Sequence, residues 1–267
     1  MSVLKLISWE LDRVKKSYLI MVGVLLALQF SWLGAFLWRQ TATYEELRLE
    51  GVTGFTVSFA NYIVSTIFIL SIGVPVVAMV LFSVWIWYRD FQGRGTFMIR
   101  LLTLPLGRMK LFVAKFATVM MLILGLFAIQ WMALLLQYQL FTAWMNAKMI
   151  PLQGSFEAAL QFDYLAMMYP ESGFNFLVHQ VLIAFVVLVL FTFVLLERSL
   201  WQRTLWSPFL AICIVSGLLA LPILLFIYFE RYLFMDELIG LFGLGFIGLV
   251  FVLTLLSRRF LSKKMSV

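Results

Sequence analysis

The chain has little of what soluble proteins use for chemistry: one cysteine, one histidine and few charges. Cys213 has no second cysteine for an internal disulfide or a thiolate metal site. Charged residues make up 12% of the chain, against about a quarter in ordinary soluble domains. His179 falls near one end of an apolar run, where a lone histidine is more typical of packing than of catalysis. These absences exclude a soluble globular domain and a disulfide or zinc framework.

Apolar residues dominate the composition of the chain. The chain is 64% hydrophobic with a mean hydropathy of +1.03, and crossing ~30 Å of hydrocarbon as a helix takes about 20 apolar residues. Six runs are long enough, at approximately residues 18–38, 61–88, 111–137, 176–196, 206–229 and 238–256. The sequence therefore predicts an all-α, polytopic membrane protein with six transmembrane helices, in which residues 1–267 form a single membrane domain.

Basic residues are concentrated on one side of these spans. Sixteen of the 20 lie before span one, between spans two and three or at the very start of span three, between spans four and five, or after span six. By the positive-inside rule these segments are cytoplasmic, which puts both termini inside the cell membrane. The positive balance is thus explained by membrane orientation, and it does not indicate a nucleic-acid partner.

Residues 1–17 predict an amphipathic helix at the inner membrane surface. Leu4, Ile7, Leu11 and Val14 share one face, and charged side chains occupy most of the remainder. The apolar run that follows is longer than the core of a signal peptide and has no clear cleavage site after it. It is therefore expected to remain as span one.

No ionisable residue lies in the middle of a span, which argues against a proton-driven carrier and a channel with a charged ring. Neutral polar residues are expected to form interhelical hydrogen bonds; they are Gln29, Ser65, Thr66, Ser71, Gln130, Thr192 and Ser216. An intramembrane enzyme is disfavoured because no catalytic motif occupies a span. The G-x-G-x-x-G pattern at 243–248 lies inside a span, so it predicts close helix packing and not a nucleotide site.

The longest outer connection, residues 138–175, could hold a helix that begins near Ser155 and ends near Pro170. Such a helix would lie across the outer ends of the spans. Packing is the favoured role for it, and gating is the alternative.

The stretch YRDFQGRGTFMIRLLTLPLGRMK, residues 88–110, stands out among the cytoplasmic segments. Thr96 can cap a short helix over 97–104 that Pro105 ends. This helix is too apolar to be left in water, so one face calls for a partner protein. The nearby arginines would contact lipid phosphates or acidic groups of that partner; they are Arg89, Arg94, Arg100 and Arg108.

The same stretch resembles the first cytoplasmic loop of type 2 ATP-binding-cassette (ABC-2) transporter permeases. The resemblance rests on Asp90, Gly95-Thr96, the sequence LLTLP at 101–105, Arg108 and Lys115, together with the six-span layout. It implies that 97–104 is a coupling helix seated in a separate ATPase subunit. The implied contact residues are Asp90, Gly95, Thr96, Phe97, Met98, Arg100, Leu101, Leu102, Pro105 and Arg108.

The family further implies an exporter that works beside a second permease, either another copy or a homologue. ATP and Mg would bind to the partner subunit, because this chain has no P-loop and is not expected to bind a cofactor or to be an enzyme itself. The alternative function is a non-transporting membrane scaffold or sensor that docks a soluble cytoplasmic protein.

Overall fold

The computed structural model describes residues 2–52, 54–92, 108–160, 165, 172–201, 209, 212–217, 220 and 235–263. The helices are α1 (Val3–Leu49), α2 (Phe59–Ile63), α3 (Thr66–Gln92), α4 (Arg108–Ala147), α5 (Phe156–Leu160), α6 (Gly173–Trp201) and α7 (Met235–Lys263). The described residues contain no β-strand; Val57 and Leu152 form an isolated bridge. The predicted all-α class is confirmed.

Five helices in the described part of the chain are long and apolar enough to cross a membrane, namely α1, α3, α4, α6 and α7. They contain most or all of five of the six predicted spans. Nearly all of the sixth, at 206–229, lies outside the described residues, although residues 212–217 are helical. The chain is a membrane protein.

Helix α1 differs from the prediction of an interfacial helix followed by a separate span. It continues without a break through 47 residues, about 70 Å at ~1.5 Å per residue, more than twice the hydrocarbon thickness. No glycine or proline occurs between residues 3 and 22 to interrupt it. Ile7 and Val14 are buried, as the periodicity predicted, but Leu4 is 74% exposed.

The buried face of α1 also holds Glu10, which the sequence pattern placed among the polar residues of the helix. Its side chain is fully buried, and Arg13 lies 3.9 Å from the carboxylate. Arg13 in turn stacks on Trp9 at 4.4 Å. The buried carboxylate of Glu10 thus has a basic side chain, Arg13, beside it one turn further along α1.

The predicted second span begins too early. The helix that starts at Phe59 ends at Ile63, and α3 begins only at Thr66. The Ser65 hydroxyl donates to the Tyr62 carbonyl and accepts a 2.7 Å hydrogen bond from Trp32 Nε1. These bonds stabilise the turn between the two helices.

The chain divides into two compact units. The first unit comprises Trp9–Met79 and Met120–Gln180. In it α1 and α4 run parallel. The Tyr18 hydroxyl donates to the Leu122 carbonyl, and further along both helices Gln29 bonds to Gln130.

The end of the first unit that contains α2 and α5 has an aromatic core around Phe59. Its ring contacts those of Tyr138 and Phe141, each at 5.3 Å, and Phe156 of α5 packs on Tyr138 at 4.8 Å. Helix α5 packs against α2. Helix α5 covers only the start of the helix predicted from Ser155 to Pro170; most of the remainder of that prediction lies outside the described residues.

The second unit comprises Met1–Ser8, Val80–Val119 and Val181–Val267. Here α6 and α7 run parallel: the rings of Phe185 and Phe246 are 4.8 Å apart, and Thr192 contacts Ser257 at 3.0 Å further along both helices. Thr192 donates its proton to the Leu188 carbonyl, so Ser257 is the donor between the hydroxyls. This unit contains the residues that flank the stretch 93–107.

Candidate functional site

The predicted partner-binding stretch is only partly described. Asp90 lies near the end of α3 and Arg108 is the first residue of α4. The other predicted contact residues lie outside the described residues; they are Gly95, Thr96, Phe97, Met98, Arg100, Leu101, Leu102 and Pro105. The candidate site is therefore built from the two helices that enter and leave this stretch.

A buried ion pair joins these helices. Lys115 Nζ of α4 lies 2.5 Å from Asp90 Oδ2 of α3, and both side chains have 0% exposure. The ammonium also donates a 3.0 Å hydrogen bond to the Ile86 carbonyl and lies 5.3 Å from the centre of the Trp87 ring. Hydrogen bonds and an aromatic face thus compensate for part of the desolvation of this charge.

A second cation lies beside the pair. Arg89 Nε is 3.9 Å from Asp90 Oδ1, and its guanidinium stacks over the Trp85 ring at 4.8 Å. The Arg89 side chain keeps 15% of its surface exposed. Among the described residues, Asp90 therefore interacts with a fully buried base and with a base near the surface of the unit.

Aromatic rings pack around the buried pair. Trp87 of α3 and Phe112 of α4 lie 6.1 Å apart, and Phe191 of α6 meets them edge-on at 5.5 and 5.6 Å. Phe116 adds a third edge-on contact with Phe191 at 6.2 Å. Apolar rings around an ion pair exclude water, which strengthens the attraction between the charges.

The charged residues continue onto α6. Arg198 stacks over the Tyr88 ring of α3 at 4.6 Å, and the preceding residue, Glu197, is 5% exposed. The basic groups of Arg89 and Arg198, near the ends of α3 and α6, are thus held against aromatic rings.

A different polar cluster occupies the first unit, and we call it the amide hub. It consists of Gln29, Ser71, Gln130, Gln137 and Tyr62, all buried. Gln29 Nε2 donates to Ser71 Oγ and to Gln130 Oε1, each at 3.1 Å, and Gln29 Oε1 accepts from Gln137 at 3.0 Å. The Tyr62 hydroxyl donates to the Gln29 carbonyl at 3.0 Å.

The Ser216 hydroxyl donates to the Cys213 carbonyl of its own helix, so the predicted interhelical bond is not seen for this residue. The predicted interhelical hydrogen-bonding role is confirmed for Gln29, Ser65, Ser71, Gln130 and Thr192. Each bonds a side chain of another helix or of the turn between helices. Because both amide protons of Gln29 are used and its side-chain oxygen accepts bonds, the hub has, at Gln29, no hydrogen-bonding group left over for a ligand. It is a structural network, not a ligand site.

The glycine pattern at 243–248 lies within α7. A Cβ added at Gly243, Gly245 or Gly248 would meet no atom within 4 Å, so the close packing predicted for these glycines is not seen in the described part of the chain. The residues described also include no group of three His, Cys, Asp or Glu side chains that could hold a metal ion.

The pairing of Asp90 with Lys115 was not predicted, although both residues belong to the pattern singled out above. An acid at the end of one span and a base at the start of the next is the available signal, because antiparallel neighbours bring those positions together. Gln137 and Tyr62 were also missed, since both lie near predicted span ends, where polar residues are ordinary.

Comparison of the chain with protein-family models, curated proteins and solved structures found no match.

Proposed function

We propose that the chain is the membrane-spanning permease subunit of an ABC-2 type transporter, an exporter driven by a separate ATP-binding subunit. The proposal starts from the order of residues between Asp90 and Lys115 and from the apolar stretch between them. In this proposal ATP and Mg bind to the partner, and this chain supplies the path through the cell membrane.

The observation that carries the proposal is the buried pair of Asp90 and Lys115. It fastens α3 to α4 directly beside the stretch 93–107, with both side chains fully buried. A force applied to that stretch would therefore displace the ends of both helices together, because separating them would take the buried Lys115 ammonium away from the Asp90 carboxylate in an apolar environment. This is the mechanical property that a subunit moved from its cytoplasmic side requires.

Orientation follows from the same residues. The end of α3 and the start of α4 carry Arg89, Arg108 and Lys110, and the end of α7 carries Arg258 and Arg259, so we assign these ends to the cytoplasm. We place both termini there as well. The ammonium and guanidinium groups would meet lipid phosphates or acidic groups of the partner.

The directions of α6 and α7 support six crossings. Two successive spans that run parallel require the chain to cross the membrane once more between them. The paired contacts of Phe185 with Phe246 and of Thr192 with Ser257 give this parallel arrangement. The predicted span at 206–229 supplies the crossing in this proposal.

Transport by alternating exposure needs a second permease, so the proposed assembly contains another copy of this chain or a homologue beside it, with two ATP-binding subunits. Movement of the ATP-binding subunits would be passed to α3 and α4, and from Trp87 and Phe112 to Phe191 of α6. That route uses only side chains that are already in contact.

Copurification tests the proposal. The tagged full-length chain is purified in mild detergent from its native membranes, and its partners are identified by mass spectrometry. We expect a stoichiometric ATPase with a P-loop, and we expect Phe97→Asp to remove it, because a charge in a buried anchor position typically abolishes such a contact. Leu49→Asp is the matched control. Leu49 is the last residue of α1 and is 89% exposed, so this variant should leave the ATPase bound.

Two results would overturn the proposal. A chain that copurifies with no ATPase, although it is folded and abundant, is not driven by one. A soluble partner without a P-loop, lost on Phe97→Asp, would instead establish the scaffold or sensor function.

A further inference from the structure

The exposed face of α7 changes from apolar to basic in its last turns. Five large apolar side chains on this face are between 42% and 71% exposed; they are Leu244, Ile247, Phe251, Val252 and Leu255. Arg258 and Arg259 follow three and four residues after Leu255, so they lie on the same side of the helix, and both are exposed. The arginines therefore face the medium that the apolar side chains face.

Both arginines belong to the part of α7 that can cross a membrane. That part is Gly243–Phe260, so Arg258 and Arg259 lie within its last turn and not beyond it. Arginine side chains near the end of a membrane-spanning helix extend towards the interface, with their apolar stems in hydrocarbon. The two guanidinium groups are thus placed at the level of lipid headgroups.

Helix α3 repeats this arrangement in the second unit. Its exposed residues Val77, Leu81 and Trp85 lead to Arg89, four residues after Trp85, and the Arg89 guanidinium stacks over the Trp85 ring at 4.8 Å. Exposed tryptophans of membrane proteins are concentrated at the membrane–water interface. Trp85 therefore marks the interface independently of the arginines.

The ends of α3 and α7 lie at the same level. Trp87 of α3 contacts Phe191 of α6 at 5.5 Å, and the next residue of α6, Thr192, contacts Ser257 of α7 at 3.0 Å. Trp87 and Ser257 are therefore level with each other across α6. This places Arg258 and Arg259 at the depth that Trp85 and its neighbours mark.

Burial of the acids leaves this end of the second unit with exposed bases. The acids described at this end are Asp90 and Glu197, and they are 1% and 5% exposed. Lys110, Arg258 and Arg259 are exposed. Over the described residues, the charge that this end presents to its surroundings is positive, although acids and bases are mixed in the sequence.

We propose that Arg258 and Arg259 bind the phosphate of an anionic phospholipid, of which phosphatidylglycerol is the test case. Guanidinium groups form paired, charge-assisted hydrogen bonds with phosphate oxygens. A zwitterionic headgroup brings a cation of its own, so a headgroup with a net negative charge complements two adjacent arginines better. The binding does not depend on the proposed transport function.

A protein occupant fits this face less well than lipid does. A helix of another protein lying on it would bury both arginines and would need carboxylates at the same depth, because buried charges must be paired. Lipid phosphates are present at that depth all around the protein. A soluble subunit reaches residues that project beyond the headgroups, and Arg258 and Arg259 lie within the span.

Photolabelling tests the proposal. The full-length chain is reconstituted in phosphatidylcholine nanodiscs that contain a small fraction of photoreactive lipid, and labelled peptides are quantified by mass spectrometry. The photoreactive lipid is phosphatidylglycerol or phosphatidylcholine with the same diazirine near the glycerol end of one acyl chain. One basic residue at a membrane surface favours anionic lipid roughly fivefold, so we expect phosphatidylglycerol to label the peptide 251–260 at least fivefold more than phosphatidylcholine does. The exposed residues Leu177 and Val181, at the other end of the second unit, should be labelled equally by both lipids.

Variants separate a local site from the overall charge. Arg258→Gln with Arg259→Gln should bring the labelling ratio at peptide 251–260 to about one, whereas Arg258→Lys with Arg259→Lys should retain a preference for phosphatidylglycerol. The matched control is Lys5→Gln with Lys110→Gln, which removes the same charge from two other exposed positions of the second unit and should leave the ratio unchanged. If the glutamine variant reduces expression, 1 M NaCl provides the second test: it shortens the screening length to about 3 Å and should lower the ratio of the unmodified chain.

The proposal is wrong if the two lipids label the peptide equally, or if the glutamine variant keeps the preference. It is also wrong if the lysine control lowers the ratio as much, because diffuse charge would then be the cause. The same labelling of the chain purified with its partners from native membranes tests for a protein occupant: loss of the phosphatidylglycerol label at this peptide would assign Arg258 and Arg259 to the partner and overturn the proposal.

Discussion

Replacing Lys115 by methionine should destabilise the protein more than any surface change of the same kind. Methionine keeps much of the side-chain volume, removes the charge and leaves Asp90 fully buried without its ammonium partner. Removing one member of a buried ion pair costs about 3–5 kcal/mol. The hydrogen bond to the Ile86 carbonyl is lost in the same substitution.

Restoring neutrality should recover much of this loss. Lys115→Met combined with Asp90→Asn leaves no fully buried charge in the pair, and Arg89, the other base beside Asp90, keeps part of its surface exposed. Removing both charges of the buried pair therefore avoids most of the cost of removing only one. We therefore expect the double variant to be more stable than Lys115→Met by about 2 kcal/mol or more. Such non-additivity identifies a direct interaction between two residues.

The measurement is equilibrium unfolding in mixed micelles titrated with SDS, followed by tryptophan fluorescence. Lys110→Met is the matched control, because Lys110 is exposed on the same helix and should change stability by about 0.5 kcal/mol or less. The reasoning fails if Lys115→Met costs under about 1 kcal/mol, or if the double variant loses the sum of the single losses.

Two further predictions concern the first unit, and both use the same unfolding measurement. Gln29→Leu should cost about 2 kcal/mol, because it removes several interhelical hydrogen bonds worth ~0.6 kcal/mol each in membranes; the exposed Gln139→Leu should cost almost nothing, and equal losses would contradict the hub. Gly125→Ala should cost about 1 kcal/mol, because its Cβ would lie 2.9 Å from the Tyr18 hydroxyl. Gly23→Ala meets no atom within 4 Å and should be neutral or slightly stabilising; a Gly125→Ala protein as stable as Gly23→Ala would contradict the close approach.

Hydropathy was sufficient to locate most of the helices that cross the membrane. Long apolar runs have no other stable arrangement in a bilayer than a helix, so the runs at 111–137 and 176–196 became parts of α4 and α6. The interhelical role of Gln29 was predictable for the same reason, since a buried amide in hydrocarbon must find a partner. Which partners it would find was not predictable, because that depends on how α1, α3 and α4 pack.

Boundaries were less predictable than spans. A change from an amphipathic to an apolar pattern predicted a break near residue 17, yet α1 continues, because helix geometry tolerates any such change when no glycine or proline intervenes. The turn after Ile63 was missed for the opposite reason. It depends on bonds from Ser65 to Tyr62 and Trp32, and the partner in α1 is 33 residues away along the chain.

The candidate site was predicted as a stretch of sequence and not as an arrangement in space. The order of Asp90, the apolar segment and Lys115 was visible in the chain, but the ion pair depends on α3 and α4 lying side by side. The aromatic rings around it were invisible as a group, because Phe112 and Phe191 resemble any other phenylalanine of an apolar span. Only the packing of α6 against both helices brings them together.

The amide hub consists of neutral side chains, and this has a consequence for its response to membrane voltage. A membrane potential does work of about 2.3 kcal/mol per elementary charge per 100 mV, and amide and hydroxyl groups carry no net charge. Rearranging Gln29 and its partners therefore moves no charge through the field. Conformational steps confined to these side chains will be electrically silent, and their rates will be the same in polarised and depolarised membranes.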